Sequence, residues 1–399
     1  GNFNTGFGSF ALAQLVFSDL LGDHQIAFGS NLQFDLRNSI YNVQYGYYKN
    51  RTNYIFNFFH FAQSFQTFSG ELFRFRNFGG GMDIQYPLDK FRRVDLSLNA
   101  VSIVRDYSSL FAGTFDDTPE GDLPAPTPDF RPRESSAFIY PQLIFTSDKT
   151  LPGFITARRG TRYSMSLSGS PGLISDSEAF TSVLADWRHY FDLGYGYTFA
   201  LRGSGAASFG PGSQTYFLGG RLGWINQRFA NNNLPFDRLA DSFFTLPALP
   251  LRGYEFNAIN GTRFALTNAE FRFPLFAAIL PGPIPILPLY NLTGAAFIDA
   301  GMSWGLDIDY QLFDEIGDPI INDKSLDLTV ARRETGAFTD ANGNFGTASY
   351  FDGDILIGAG FGLRTILLGL PFRWDVGWPF ERTGFGSDPI HYFSIGIDF

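Results

Sequence analysis

An arginine interrupts an apolar, proline-marked stretch in which residues 247–254 read PALPLRGY. The planar guanidinium of Arg252 can bind a carboxylate through two parallel hydrogen bonds. Gly253 permits a sharp bend of the backbone, and Tyr254 can pack and hydrogen-bond at once. The chemistry that this stretch supports is therefore charge pairing, and the question it raises is which acidic groups meet Arg252.

Residues that could perform catalysis or hold a metal are poorly placed. The four histidines, His24, His60, His189 and His391, are scattered without the spacing of metal ligands. No serine lies in a nucleophile elbow that is followed by a helix. We therefore expect no enzymatic activity, no metal and no cofactor.

The composition indicates which classes of protein to consider. The 399 residues include 47 Phe, 18 Tyr and 44 Gly but no Cys, and only 17% are charged, with a net charge of −10. This acidic balance argues against a nucleic-acid partner. No apolar run reaches the length of about 18 residues that a membrane-spanning helix needs. Residues 1–4 lack the basic and apolar regions of a signal peptide, which predicts a mature or truncated chain.

Strict alternation of apolar and small polar residues predicts β-strands along most of the chain. Between residues 24 and 36, Ile26, Phe28, Leu32 and Phe34 share one parity and small or polar residues share the other. Both membrane barrels and soluble sandwiches have such strands. Many of these segments run for ten to fifteen residues, longer than is usual in a soluble sheet, and their charges fall on the polar parity. These features favour an all-β fold, a transmembrane antiparallel β-barrel over residues 1–399.

Strand positions and loop lengths predict the topology. We expect fifteen strands, at about 5–18, 24–36, 40–49, 52–63, 73–86, 92–105, 134–147, 156–170, 177–191, 195–207, 261–276, 290–304, 353–366, 371–379 and 390–399. Long polar connections alternate with mostly short ones, as external loops alternate with periplasmic turns. Because bacterial barrels usually have an even number of strands, we expect sixteen, with one strand and a periplasmic domain preceding residue 1. A merged or missed strand is the rival explanation.

Four motifs in order resemble a known family. They are TYFLGG (215–220), LRGY (251–254), NAEFRFP (268–274) and FIDAG (297–301). Together they resemble the BamA/TamA/FhaC-type superfamily of outer-membrane barrels, the bacterial surface antigen barrel domain, whose members insert or translocate proteins. The resemblance implies that the loop at 215–260 folds into the lumen and that Arg252 pairs with acids on the wall. The insertion of thirty residues between FLGG and LRGY is longer than the family pattern suggests.

Strand parity places the candidate partners on the lumen side. Glu270 shares the polar face of its strand, and Asp299 lies opposite Ile298 and Ala300. We therefore predict that Arg252 lies within ion-pair reach of Glu270, Asp299 or both. The expected neighbours in the same lumen network are Arg272, Arg364, Arg373 and Asp375.

The terminal strand PIHYFSIGIDF resembles the signal by which such barrels are themselves assembled, carried by Phe393, Ile395, Ile397 and Phe399. The resemblance implies a location in the outer membrane of a Gram-negative-type bacterium. The implied partners are membrane lipid, client outer-membrane proteins and periplasmic or lipoprotein accessory subunits.

Three functions remain open from the sequence. The first is a barrel that inserts or translocates proteins at a seam between its first and last strands. The second is a barrel of the same superfamily that inserts nothing and acts as a membrane anchor or as a subunit of a larger envelope complex. The third is a diffusion porin, which would not need the inward loop or the matched lumen acids.

Overall fold

The computed structural model describes residues 2–4, 8–33, 40–66, 72–107, 134–153, 156–174, 177–225, 227–230, 241–277, 291–305, 312–313, 319–320, 328–339, 345–367 and 370–396. Its strands up to the long loop are β1 (Asn2–Asn4), β2 (Gly8–Ser18), β3 (His24–Gln33), β4 (Ile40–Tyr47), β5 (Asn53–Gln66), β6 (Leu72–Pro87), β7 (Arg92–Tyr107), β8 (Glu134–Asp148), β9 (Leu151–Pro152), β10 (Ala157–Ser170), β11 (Phe180–Gly194) and β12 (Tyr197–Phe209). The long loop at 210–262 contains β13 (Tyr216–Leu218), β14 (Trp224–Ile225), α1 (Asp241–Phe244), β15 (Leu246–Ala248) and β16 (Ile259–Gly261). After it come β17 (Arg263–Ala277), β18 (Asn291–Trp304), β19 (Leu312–Phe313), β20 (Pro319–Ile320), β21 (Arg332–Thr339), β22 (Phe345–Asp352), β23 (Leu356–Leu367), β24 (Leu370–Glu381), β25 (Gly384–Phe385) and β26 (Ile390–Ile395).

One antiparallel meander forms the wall. Its strands pair in sequence order from β2 to β8, then through β10, β11, β12, β17, β18 and β23 to β24 and β26. These are the fifteen strands that alternation predicts, and the predicted fold class, a transmembrane antiparallel barrel, is confirmed. The short β1 pairs with Gly8–Phe10 along the other edge of β2. No helix in the described residues is long and apolar enough to cross a membrane.

The wall is apolar on the outside and polar on the inside. On β7, Leu96 and Leu98 are 47% and 51% exposed, whereas Asp95 and Ser97 between them are 6% and 8% exposed. A soluble sheet would bury the leucines and expose the aspartate. The reversed order means that the leucines face lipid and that the polar side chains line the interior.

The connection at 305–352, expected to be a polar loop, contains a small sheet of its own. β21 and β22 form a hairpin from Arg332↔Asp352 to Thr339↔Phe345, and β19 and β20 extend it. Charged residues at Arg332, Arg333 and Glu334 interrupt the apolar alternation. The hairpin therefore lacks the sequence pattern of a membrane-spanning strand.

Candidate functional site: the inward loop and its lumen network

The long loop is organised by pairing between its two motifs. Gly220 and Leu251 exchange backbone hydrogen bonds of 3.0 Å in both directions, which joins FLGG to LRGY. β13 is the central strand of a small sheet between β15 and β16. Gly219 has a φ of +114°, and a Cβ at this position would lie 2.0 Å from the carbonyl oxygen of Glu255. The glycines therefore allow the two motifs to approach closely.

Arg252 lies at the tip of this loop and meets both of the acids that parity placed in the lumen. Its Nε and Nη2 donate to the two carboxylate oxygens of Asp299 at 2.7 and 2.9 Å, and its Nη1 donates to Glu270 Oε2 at 2.8 Å. The Arg252 Cζ lies 3.5 Å from the centroid of the Phe297 ring. Burial by itself would lower the pKa of Arg252, yet the carboxylates of Asp299 and Glu270 raise it above its ordinary value. The guanidinium therefore remains charged while it is buried.

The two acids lie on neighbouring strands. β17 and β18 pair so that Asn268 is opposite Asp299, and Asn268 Nδ2 donates to Asp299 Oδ1 at 2.8 Å. The same amide nitrogen donates to the carbonyl oxygen of Pro250 at 2.8 Å, just before the motif. Asn268 therefore holds both the acid and the backbone of the loop.

A wider network surrounds this pair. Arg272 Nε and Arg364 Nη2 each donate to Glu270 at 2.8 Å, and Arg364 Nη1 lies 3.3 Å from Asp375 Oδ1. Asp375 also forms an ion pair with Arg221, the residue directly after FLGG. Arg373 is 3% exposed and lies opposite Arg364 in the ladder between β23 and β24. The structure thus brings all six predicted network acids and neighbours to one region of the wall, together with Arg221.

The backbone of the tip also fits closely against the wall. Gly253 has a φ of +99°, and a Cβ built on Gly358 of β23 would lie 1.6 Å from the carbonyl oxygen of Arg252. Tyr392 Oη of β26 accepts a hydrogen bond of 2.8 Å from Gly253 N and donates one of 2.7 Å to the carbonyl oxygen of Tyr254. Tyr254 Oη donates to the carbonyl oxygen of Ile357 at 2.9 Å. Arg252, Gly253 and Tyr254 are therefore held by four strands, namely β17, β18, β23 and β26.

A second part of the same loop contacts another region of the interior. The Phe244 ring in α1 packs against Phe138 and Phe180, at centroid distances of 4.9 and 5.0 Å. Val101 and Ile103 of β7 complete this buried cluster. β7, β8 and β11 lie on the other side of β12 from the charged network, so the inserted segment contacts both sides of the lumen.

The last strand has an unusual neighbour. One edge of β26 pairs with β24, and the other pairs with Trp224 and Ile225 of the loop, opposite Ser394 and Phe393. No pairing between β26 and β2 occurs within the described residues. Phe393 and Ile395 are 56% and 40% exposed on the outer face. Ile397 and Phe399 lie outside the described residues.

Sequence reasoning missed several residues of this site: Arg221, Asn268, Phe297 and Tyr392. Asn268 opens the NAEFRFP motif and shares the parity of Glu270, and Phe297 opens the FIDAG motif and shares the parity of Asp299. Parity could therefore have identified both residues as facing the lumen. Tyr392 has the parity opposite to Phe393 and Ile395, which predicts an inward side chain but not its contact with the loop. Within the described part of the chain, no group of three or more histidine or acidic residues lies close enough to hold a metal ion.

Comparison with known proteins agrees with this architecture. A family model described as the Omp85 superfamily domain matches residues 27–399. The crystal structure of BamA from Haemophilus ducreyi lacking POTRA domains 1–3 is 12% identical, with a TM-score of 0.57, and the match covers 98% of this chain and 68% of that one. CdiB from Acinetobacter baumannii is 10% identical, with a TM-score of 0.47, and covers 97% of this chain and 56% of its own length. CdiB from Escherichia coli is 12% identical, with a TM-score of 0.45, and the match covers 97% of this chain and 59% of that one. No curated protein matches the sequence.

Proposed function

Because this chain belongs to the Omp85 superfamily, we propose that it inserts or translocates client proteins in the outer membrane of a Gram-negative-type bacterium. The clients are outer-membrane or secreted proteins, and periplasmic or lipoprotein accessory subunits deliver them. The route is the edge of β26 that faces away from β24.

The observation that carries this proposal is the occupant of that edge. In the described structure the ladder on this edge has two loop residues, Trp224 and Ile225, and the carbonyl oxygen of Gly223 accepts one more hydrogen bond of 3.4 Å from Ile395 N. An edge strand offers a row of backbone donors and acceptors to any strand that can align with it. A two-residue ladder satisfies few of them and is readily exchanged for a longer incoming strand.

The alternation of side chains in this short ladder supports the same conclusion. Trp224 is buried at 5% exposure and its ring lies 4.7 Å from that of Tyr392, whereas Ile225 is 46% exposed on the outer face. The loop segment thus has the inward and outward pattern of a transmembrane strand. A client strand with apolar residues on one parity would reproduce its contacts.

Arg252 holds the loop in position for this exchange. It connects the loop to β17 and β18 through Glu270 and Asp299, while Tyr392 connects the loop tip to β26. We therefore assign the motif Leu251 to Tyr254 the role of a tether that couples the loop to the last strand.

A reversible disulfide between the loop and β26 tests whether clients enter at this edge. The 399 residues contain no cysteine, so the double variant Ile225→Cys/Phe393→Cys places a single cysteine pair in the barrel, at residues that face each other in the ladder. The full-length protein is reconstituted in lipid vesicles with a urea-denatured client barrel, and insertion is followed by protease protection. Insertion should fail in the oxidised variant and return when the disulfide is reduced.

The matched control is Val43→Cys/Phe58→Cys, an outward-facing pair on β4 and β5. It should support insertion in both redox states. Equal insertion by the oxidised and reduced seam variant would overturn the proposed route. Depletion of the protein in cells gives an independent test, because unchanged levels of other barrels in the outer-membrane proteome would favour the anchor or subunit role.

The tether is tested separately with Arg252→Ala, by measuring barrel stability and client insertion on the same preparation. We expect both to fall. Full insertion with unchanged stability would remove the tether from the mechanism and leave the seam route untouched.

A further inference from the structure

The short-turn rim of the barrel carries an uneven distribution of charge. Three of the connections on this rim, with the strand ends beside them, span residues 48–52, 88–93 and 148–162, which we call the basic rim. These ranges hold nine basic and two acidic residues, a net charge of +7, although the whole chain carries −10. Three of the four lysines of the chain, Lys49, Lys90 and Lys149, lie here, one in each range.

The three turns form one continuous surface. Arg51 Nε and Nη2 donate to the carbonyl oxygens of Pro87 and Leu88 at 3.0 and 2.8 Å, which joins the first turn to the second. The backbone N–H of Asp148 donates to the carbonyl oxygen of Phe91 at 2.8 Å, which joins the second to the third. The nine basic side chains are all exposed: Lys49, Arg51, Lys90, Arg92, Arg93, Lys149, Arg158, Arg159 and Arg162.

Apolar side chains are interleaved with these charges on the lipid-facing side. Leu88, Phe91 and Leu151 in the turns are 40%, 53% and 59% exposed. The Arg51 Cζ lies 4.9 Å above the ring of Tyr86, which is 41% exposed on the outer wall. Basic side chains beside apolar and aromatic side chains at the same depth are typical of the boundary between the hydrocarbon core and the lipid headgroups.

Register places a second arginine on the same outer face. Arg92 and Tyr163 lie on either side of Ser147, each directly opposite it on a neighbouring strand. Directly opposed residues in a sheet point to the same face, so Arg92 shares the outer face with Tyr163, which is 39% exposed. An arginine therefore lies near an exposed tyrosine twice on this rim: Arg51 near Tyr86, and Arg92 near Tyr163.

We propose that the basic rim binds the phosphate headgroups of anionic glycerophospholipids in the membrane leaflet that it touches. Four of the arginines share their charge with carboxylates: Arg92 with Asp89, Arg93 with Asp95, Arg158 with Asp192 and Arg162 with Asp148. The three lysines, Arg51 and Arg159 are therefore the side chains best placed to meet the phosphates. The exposed leucine and phenylalanine side chains between them contact the first carbons of the acyl chains.

The rim is not basic everywhere. The turn between β2 and β3, beside the first strand, contains Asp19 and Asp23 with the exposed residues Leu20 and Leu21. The anionic lipid is thus attracted to the β4–β10 side of the barrel, away from the edge of β26.

Lipid retention on the purified full-length protein tests this proposal. Detergent micelles are doped with either phosphatidylglycerol or zwitterionic phosphatidylcholine, and native mass spectrometry counts the lipids that remain bound. The parent protein should retain phosphatidylglycerol preferentially, and the preference should fall as salt is added. In the triple variant Lys49→Gln/Lys90→Gln/Lys149→Gln, the ratio of bound phosphatidylglycerol to bound phosphatidylcholine should fall about tenfold, because each basic group near the surface contributes to the attraction of anionic lipid.

The matched control is Lys49→Arg/Lys90→Arg/Lys149→Arg, which keeps the charge and should keep the preference. Inorganic phosphate added at the same phosphate concentration distinguishes a lipid site from a site for free phosphate, and it should displace little phosphatidylglycerol because it lacks acyl chains. Equal retention of the two lipids by the parent, or full displacement by inorganic phosphate, would overturn the proposal. An acidic protein partner would then be the alternative for this surface.

Discussion

The carboxylate of Asp299 binds both the side chain and the backbone of Arg252. The Arg252 Nε and backbone N–H donate to the same carboxylate oxygen, Asp299 Oδ2, at 2.7 and 3.0 Å. A single residue of the wall thus fixes the position of the loop tip and the direction of the guanidinium. Because Asp299 is fully buried, water cannot replace it in either contact.

Replacement of this carboxylate should destabilise the barrel strongly. Asp299→Asn keeps the shape but removes one of three acids, Glu270, Asp299 and Asp375, that face five buried arginines. A buried charge that loses its partner typically costs about 3 kcal/mol or more. Urea titration in lipid vesicles should show a decrease of this size in the free energy of unfolding.

The control for that experiment is Asp192→Asn, which removes an exposed carboxylate paired with Arg158. Its effect should be small because solvent screens the pair. Equal effects of the two substitutions would contradict the role of Asp299 as the central acceptor.

Contact between the loop tip and the wall predicts a steric effect at Gly358. A Cβ at this position would overlap the carbonyl oxygen of Arg252, and neither backbone can yield without moving the loop. Gly358→Ala should therefore displace the tip and increase the protease sensitivity of residues 221–260. Gly203→Ala on β12 is the matched control, since its Cβ would meet no atom within 4 Å, and it should leave the loop protected.

The sequence was sufficient to predict the wall. Alternation identified all fifteen strands, because each side chain of a barrel strand faces either lipid or lumen and the period of two is therefore strict. The β3 strand at His24–Gln33 and the β12 strand at Tyr197–Phe209 begin or end within a few residues of the predicted bounds. The same parity placed Glu270 and Asp299 inside, where Arg252 reaches both.

The path of the loop could not be predicted in this way. Parity states which face a residue occupies but not which distant residue it meets. The contacts of Phe244 with Phe138, of Arg221 with Asp375 and of Tyr392 with Gly253 are set by tertiary packing. No periodic pattern in residues 221–250 indicates them.

The hydroxyl of Tyr392 should matter more than its ring. Tyr392→Phe leaves Gly253 N–H and the carbonyl of Tyr254 without this partner in a buried site, and an unmet buried hydrogen bond costs about 1–3 kcal/mol. The variant should lower the urea midpoint and increase hydrogen exchange at Gly253. Tyr197→Phe, which alters a tyrosine that is 40% exposed on the outer wall, should change neither. A loop tip that stays protected in Tyr392→Phe would show that the contacts of Arg252, Tyr254 and Asn268 hold it without this hydroxyl.

Ion conductance separates a loop-filled barrel from a diffusion porin. Phe244 anchors the inserted segment to the wall through Phe138, Phe180 and Tyr140, and truncation of a buried phenylalanine to alanine typically costs about 3–5 kcal/mol. The parent protein in a planar bilayer should therefore show low conductance. Phe244→Ala should show larger or more frequent channel openings, because the inserted segment detaches from the wall. Phe58→Ala, which removes a ring that is 66% exposed to lipid, should behave as the parent does. High, steady conductance of the parent that Phe244→Ala leaves unchanged would mean that the loop does not close the lumen, and the porin function would then regain support.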